Sequence, residues 1–369
     1  MTVRSARLKS DILRIVKIAL SWIVIGIILS LYDHITTSAG YFYIRTDNYR
    51  FIDLFITNIG GAFLGGIIGG AFIIFYGNRK LRERSFASYV LINSLSTIII
   101  IIFLCFLICI GIVSLKLDEN FLSRIVIDRA LDFLFNIHVL KTMSFWFVVA
   151  IATSVIMRIS EKYGPGILWD ILLGKYHKPK DEERIFMFLD IRSSTTIAET
   201  LGHNKYFQLL KKFFSDITDT ILYRKGEIYQ YVGDEMVISW KMKNGLKNNN
   251  CINCFFEVKK DIEKQAPAYM KKFGMVPGFK AGIHKGAVTV GEIGVIKKEI
   301  AFSGDVLNTS SRIQNECNRY NADLLVSEDL LHCLSLDKNI EVEEIGEIEL
   351  KGKLKKAMLF SLKKSDFAV

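Results

Sequence analysis

Two aspartates stand where short apolar segments of the sequence end, and this placement suggests metal chemistry. The run Ile185–Leu189 predicts a buried strand that delivers Asp190 at its carboxyl end. Further along, Gly233 and Asp234 fit the tight turn of a hairpin. Mg²⁺ is typically held by one or two carboxylates plus substrate phosphates, and two such ions stabilise both oxygens of an in-line displacement. Aspartate is also common in surface turns, so these two residues alone are weak evidence and favour an ordinary turn.

Hydroxyl side chains follow the first aspartate. Ser193, Ser194 and Thr195 precede a helical pattern that runs from Ile197 to about Leu222. The free backbone N–H groups and the dipole at a helix start favour a phosphate group. We therefore interpret these three residues as candidate substrate-binding residues.

Several short motifs follow one another in a fixed order along the C-terminal half of the chain. They read Phe188-Leu189-Asp190-Ile191, Val232-Gly233-Asp234, Gly282-Ile283-His284-Lys285-Gly286, Gly304-Asp305-Val306-Leu307-Asn308-Thr309-Ser310-Ser311-Arg312 and Leu350-Lys351-Gly352-Lys353. Each motif is weak alone, but the ordered set is specific. Over about residues 183 to 363, the chain resembles the catalytic domain of class III adenylyl and guanylyl cyclases.

The resemblance implies a role for each matching position. Asp190 and Asp234 would hold two Mg²⁺ (or Mn²⁺) ions, assisted by the carbonyl of Ile191. Such a site supports phosphoryl transfer, which proteins catalyse by positioning and electrostatic stabilisation.

Three further residues are assigned in the same way. Asn308 would orient the ribose, Arg312 would stabilise phosphate charge in the transition state, and Lys351 would bind the triphosphate tail. Asn308 and Arg312 are four residues apart on a predicted helix, so they share one face.

The resemblance also implies a fold and an assembly. The expected fold is a ferredoxin-like α+β domain that pairs head to tail, with the metals on one subunit and the Asn and Arg on the other. Because the chain has one such domain, we expect a homodimer with two shared sites that bind a nucleoside triphosphate.

The base-reading positions match neither branch of the family. Adenylyl cyclases usually have Lys and Asp, Thr or Ser at the positions of Gln230 and Ala301, and guanylyl cyclases usually have Glu and Cys. Gln230 offers both a donor and an acceptor, whereas Ala301 offers neither. ATP is the leading substrate because it is the commonest in the family, GTP is second, and CTP or UTP is third.

The N-terminal part of the sequence predicts an all-α membrane domain of four helices. Its apolar runs each reach the roughly 20 residues that a helix needs to cross the hydrocarbon core. They cover about residues 12–31, 51–76, 89–115 and 139–159. We therefore predict a transmembrane domain at 1–159, a linker at 160–184 and the catalytic domain at 185–369.

Basic residues set the expected orientation. They cluster before the first run, after the second and after the fourth: Arg4, Arg7, Lys9, Arg14 and Lys17; Arg79, Lys80, Arg82 and Arg84; Arg158 and Lys162. The positive-inside rule then predicts a multi-pass protein of the cell (inner) membrane, with both termini and the catalytic domain in the cytoplasm.

Other classes of protein fit the sequence less well. The presence of all four residues Asp190, Asp234, Asn308 and Arg312 argues against a non-catalytic pseudo-cyclase. The absence of broken-helix patterns argues against a transporter. The net charge of +10 falls mainly near the membrane, without a nucleic-acid-binding motif, so we expect no nucleic-acid partner. Glycines between Gly60 and Gly70 predict close helix packing, either within one subunit or between subunits.

Overall fold

The computed structural model describes residues 3–38, 51–81, 84–163, 174–296, 298–349 and 356–365. Lys351 and part of the predicted linker, at 164–173, lie outside the described residues. The chain divides near residue 168 into two compact units.

The N-terminal unit is helical. Its elements are α1 (Val3–Ser38), α2 (Phe51–Phe72), a π-helical turn (Ile73–Gly77), α3 (Asn78–Lys80), α4 (Phe86–Leu117), α5 (Arg124–Leu134) and α6 (Ile137–Tyr163). In the described ranges, four helical segments are long and apolar enough to cross a membrane, at Leu8–Thr36, Asn58–Gly77, Phe86–Leu117 and Val139–Glu161. These segments coincide with the four predicted apolar runs.

Aromatic and small residues pack the helices of this unit together. The ring of Trp22 on α1 stacks on Trp146 of α6 at 5.2 Å between centroids, and its indole N–H donates to Thr153 Oγ1 at 3.0 Å. A Cβ on Gly66 would lie 2.7 Å from the Cα of Ala19, so this glycine lets α2 approach α1 closely. At least this part of the glycine pattern therefore serves packing within one subunit.

The helix α5 lies between the third and fourth apolar runs, where the sequence analysis predicts no helix. Ser123 caps its start by accepting a hydrogen bond from the backbone N–H of Val126 at 3.4 Å. Val126 and Ala130 are buried four residues apart, while Arg124 and Asp128 form an exposed ion pair. This amphipathic spacing accounts for the helix.

The C-terminal unit is an α+β domain around one mixed sheet. Its described strands are β1 (Lys180–Ile191), β2 (Glu227–Val232), β3 (Glu235–Lys241), β4 (Phe279–Ile293), β5 (Glu299–Ser303), β6 (Leu324–Ser327), β7 (Ile340–Ile348) and β8 (Ala357–Lys364). The order is β2-β3-β1-β4-β6-β8-β7, with β5 paired to β4. Only β4 and β6 pair in parallel within the described sheet.

Helices cover the sheet. They are α7 (Ser194–Leu201), α8 (His203–Tyr223), α9 (Met242–Leu246), the 3-10 turn Lys247–Asn249, α10 (Asn250–Lys264), α11 (Ala266–Phe273), α12 (Asp305–Glu316) and α13 (Glu328–Leu331). One face of β1, with Met187 and Leu189, packs against α8 and α10 in the main core. The opposite face carries Phe186, Phe188 and Asp190 and lies beneath α12.

Two boundaries differ from the sequence prediction. The strand β1 begins at Lys180, five residues before Ile185, because its polar start pairs with β4 along the whole length. The single helix predicted from Ile197 to Leu222 is two helices. Gly202 adopts a positive φ of 72°, which ends α7 and lets α8 begin at His203.

Candidate active site

The candidate site forms where β1 ends in the middle of the sheet. Asp190 lies directly opposite Glu235 on β3 and Lys280 on β4. Side chains that are directly opposite on neighbouring strands point to the same face, so three charged groups meet here. The adjoining apolar residues of β1 are buried, and therefore the charges are partly withdrawn from water.

The second predicted aspartate joins this group from the hairpin turn. Gly233 has a positive φ of 64°, and the turn between β2 and β3 brings Asp234 within hydrogen-bond reach of Asp190. Burial, followed by the hydrogen bond and charge of Asp234, raises the pKa of Asp190 to about 6, against the opposing effect of Lys280. Burial and the charges of both aspartates raise the pKa of Glu235 to about 7.

Two residues that the sequence did not single out contact Asp190. Lys280 is buried, with only 6% of the residue exposed, and its ammonium lies 3.4 Å from Asp190 Oδ2. The side-chain amide of Gln314 on α12 donates to the same oxygen at 3.0 Å. A lysine inside the otherwise apolar run Phe279–Ile283 is the signal that could have revealed the first contact, because buried lysines need a partner.

The donor set fits a hard divalent cation. Asp190 and Asp234, when both are ionised, carry more negative charge than the neighbouring Lys280 offsets. No group of three or more His, Cys, Asp or Glu side chains suited to a metal occurs among the described residues. Mg²⁺ does not require one, since it is held by one or two carboxylates plus substrate phosphates.

After Asp190 the chain turns and begins the helix α7. The side chain of Ile191 is buried in the core, so only its backbone can serve the site. Arg192 is tied to the neighbouring loop, since its guanidinium donates to the Ala322 carbonyl at 2.6 Å and to Asp323 at 2.9 Å. Ser193 is exposed with a φ of 53°, and α7 begins at Ser194.

The hydroxyl residues therefore lie at a helix N-terminus beside the carboxylates, as predicted. Ser194 hydrogen-bonds the phenol of Tyr206 on α8, and Thr195 is exposed.

The base-reading positions lie on β2 and β5. Gln230 is exposed, and Ala301 is half-buried opposite Gly291 of β4. The residues next to them in the chain, Tyr229 and Phe302, contact each other. Their ring centroids are 4.7 Å apart, and the backbone N–H of Phe302 donates to the Tyr229 hydroxyl at 3.3 Å. The strands β2 and β5 are not neighbours in the sheet, but this side-chain contact lies next to both positions along the chain.

The helix α12 carries the other predicted residues. Asn308 is exposed and Arg312 is half-buried. Gln314, which reaches Asp190, is about 200° around the helix from Arg312, given 100° per residue. Within one chain, Asn308 and Arg312 therefore project away from the carboxylates of that chain.

A mixed α+β sheet with paired carboxylates at one strand end and an Asn/Arg helix alongside is the arrangement that the resemblance to nucleotidyl cyclases predicts. The family model for the adenylate and guanylate cyclase catalytic domain matches residues 176–364, half of the chain. The chain therefore belongs to the adenylate and guanylate cyclase family, as the sequence motifs predicted.

Two proteins that are called adenylate cyclases are similar in sequence to this chain. Adenylate cyclase 2 of Rhizobium meliloti (strain 1021) is 36% identical over 219 residues, which cover 58% of this chain and 60% of that protein. Adenylate cyclase of Anabaena cylindrica is 22% identical over 187 residues, or 48% of this chain and 36% of that one. This chain thus matches less than two thirds of the length of either relative.

A solved structure shares the fold. The structure of a bacterial light-regulated adenylyl cyclase aligns with a TM-score of 0.52 at 19% identity, covering 65% of this chain and 71% of that chain. At this identity, the likeness concerns the fold alone.

Proposed function

We propose that this chain is a membrane-anchored adenylyl cyclase that converts ATP to 3′,5′-cyclic AMP and pyrophosphate. The observation that carries the proposal is the contact of Asp190 with Asp234 at the end of β1, within a domain of the cyclase family. ATP is favoured over the other triphosphates because the relative that is 36% identical is named an adenylate cyclase.

The chemistry is an intramolecular displacement. The ribose 3′-hydroxyl loses its proton to water, and its oxygen bonds to the α-phosphorus. The bond from that phosphorus to the oxygen that bridges to the β-phosphorus breaks, and pyrophosphate leaves. Asp190, Asp234 and the Ile191 carbonyl would hold two divalent cations, which supply charge stabilisation to the attacking and leaving oxygens.

The other residues of the chain bind and orient the substrate. The start of α7 at Ser193, Ser194 and Thr195 offers backbone N–H groups to the phosphates. Asn308 orients the ribose, and Arg312 stabilises the charge on the phosphates. Lys351 binds the triphosphate tail, and Gln230 and Ala301 border the base.

The working form is a homodimer with two shared sites. Asn308 and Arg312 face away from the carboxylates of their own chain, which supports their use by a partner subunit. The four apolar helices would hold both subunits in the cell membrane at high effective concentration, with the catalytic domains and both termini in the cytoplasm.

A direct assay tests the proposal. The detergent-purified full chain is incubated with equal ATP, GTP, CTP and UTP, with Mg²⁺ or Mn²⁺, and cyclic products are identified by mass spectrometry. Cyclic AMP as the main product is expected. A different main product would correct the base, and no product from a dimeric protein that binds nucleotide would favour a non-catalytic role.

The same assay tests the carboxylate pair. Asp190→Asn or Asp234→Asn should lower turnover at least about 100-fold, because each removes charge that stabilises the transition state. Asp337→Asn, which changes an exposed carboxylate in the loop before β7, is the matched control and should keep the parental rate. Retention of most activity with Mn²⁺ in both site variants would contradict the assignment.

A further inference from the structure

Three polar side chains, Thr309, Ser310 and Gln314, lie on the buried face of α12. The buried residues of this helix are Val306, Thr309, Ser310, Ile313 and Gln314. Gln314 is only 2% exposed, and its Nε2 donates to Asp190 Oδ2 at 3.0 Å. An amide withdrawn from water is costly unless it is hydrogen-bonded, so this contact accounts for a glutamine at a core position.

The backbone around Gln314 is held firmly against the sheet. At Gly282 of β4, a Cβ would overlap the backbone nitrogen of Gln314 and lie 2.7 Å from both the Gln314 Cα and the Ser310 carbonyl oxygen. The helix therefore sits on β4 with no space between the two backbones. The amide of Gln314 consequently starts from a fixed point when it reaches Asp190.

The donors on Asp190 are arranged on one side. Gln314 Nε2 and Lys280 Nζ, at 3.0 and 3.4 Å, both approach Oδ2. The carboxylate is thus oriented by two groups from different elements, α12 and β4.

We propose that Gln314 is a positioning residue that fixes the carboxylate of Asp190 for cation binding. The assignment rests on the proposed function, because it presumes that Asp190 holds a divalent cation. Groups that hydrogen-bond a metal-ligating carboxylate typically change metal affinity about 10–100-fold when they are removed. The helix α12 would then serve both sites of a dimer, with Gln314 acting in its own subunit and Arg312 in the partner.

Binding of Mn²⁺ alone tests this assignment without turnover. The detergent-purified full chain is titrated with Mn²⁺ at pH 7.5, and free Mn²⁺ is measured by electron paramagnetic resonance. Gln314→Met keeps the side-chain length and removes the donor, so it should weaken Mn²⁺ binding by about tenfold or more. Ser310→Ala is the matched control: its hydroxyl is equally buried but donates to the Val306 carbonyl, so Mn²⁺ binding should stay parental.

Two further variants separate the possible failures. If Gln314→Met does not fold, Gln314→Leu also removes the donor without adding a charge, so it should likewise weaken Mn²⁺ binding about tenfold. Parental Mn²⁺ binding in a folded Gln314 variant would overturn the positioning role and leave the proposed function intact. Equal binding by the parent and by Asp190→Asn would instead overturn the cation site itself, and the Gln314 assignment with it.

Discussion

At the scale of single residues, the crowding of carboxylates at the end of β1 has an energetic consequence. Burial and the neighbouring Asp234 raise the pKa of Asp190 to about 6, whereas an aspartate in an unfolded chain titrates at about 3.9. The folded protein therefore binds this proton more tightly than the unfolded chain does. The resulting stability is present below about pH 4 and is lost as the pH rises through about 6.

A substitution that removes the charge should reverse this loss. Asp190→Asn cannot ionise, so in EDTA it should raise the thermal midpoint relative to the parent at pH 7.5, and by clearly less at pH 4.5. The pKa of Glu235 is raised to about 7. In the Asp190→Asn variant, Glu235 therefore still makes the stability fall as the pH rises, but by less than in the parent. The measurement is thermal unfolding of the purified full chain at both pH values.

Cation binding provides the complementary readout. Added Mn²⁺ should raise the midpoint of the parent at pH 7.5 and have little effect on Asp190→Asn, because a ligand stabilises only the state that binds it. The exposed-carboxylate variant Asp337→Asn should behave as the parent does. An equal difference between Asp190→Asn and the parent at both pH values would contradict the raised pKa.

The sequence predicted part of this cluster. Asp190 and Asp234 follow from strand-end patterns, and the structure does place them beside each other. Lys280 and Gln314 were missed for a physical reason. Their importance depends on which residues of β1 lie opposite them, and strand register and helix docking are not encoded in a local pattern.

At the scale of elements, the site depends on the contact between α12 and β4. Gly282→Ala would insert a methyl group into the backbone of α12, so the helix or the strand must move. Overpacking of this kind costs about 3 kcal/mol, and we expect a comparable loss of stability together with loss of turnover. Thermal unfolding and the cyclase assay measure the two effects.

Gly286 offers a matched comparison on the same strand. A Cβ there would lie 3.1 Å from the Cβ of Val306, a side-chain contact that can relax by a small shift. Gly286→Ala should therefore lose clearly less stability than Gly282→Ala. Equal effects of the two substitutions would show that α12 does not rest on β4 as closely as the structure indicates.

Element boundaries mark the limit of the sequence patterns at this scale. A hydrophobic period of 3.6 residues continues across a single left-handed residue, so the break at Gly202 between α7 and α8 left no trace in the pattern. The strand and turn around Asp234 were predictable because glycine and the alternation of side chains act over a few residues.

At the scale of the whole molecule, the proposed dimer makes each active site depend on two subunits. A chain with Asp190→Asn keeps Asn308, and a chain with Asn308→Ala keeps Asp190. A mixed dimer of the two therefore contains one intact composite site. With random association of equal amounts, two-fold symmetry predicts about a quarter of the parental turnover, whereas each variant alone should be nearly inactive. Activity no higher than the sum of the separate variants would argue against shared sites.

The mixed dimer also reports where Gln314 acts. In the Asn308→Ala chain, Gln314 touches the Asp190 carboxylate that the intact composite site needs. Gln314→Met added to that chain should therefore lower the restored turnover by about tenfold. The same substitution in the Asp190→Asn chain touches only the disabled site and should leave the restored turnover unchanged. Equal losses from both placements would mean that Gln314 acts through the helix α12 as a whole, because only then would a change on one side reach the Asn308 and Arg312 that the partner uses.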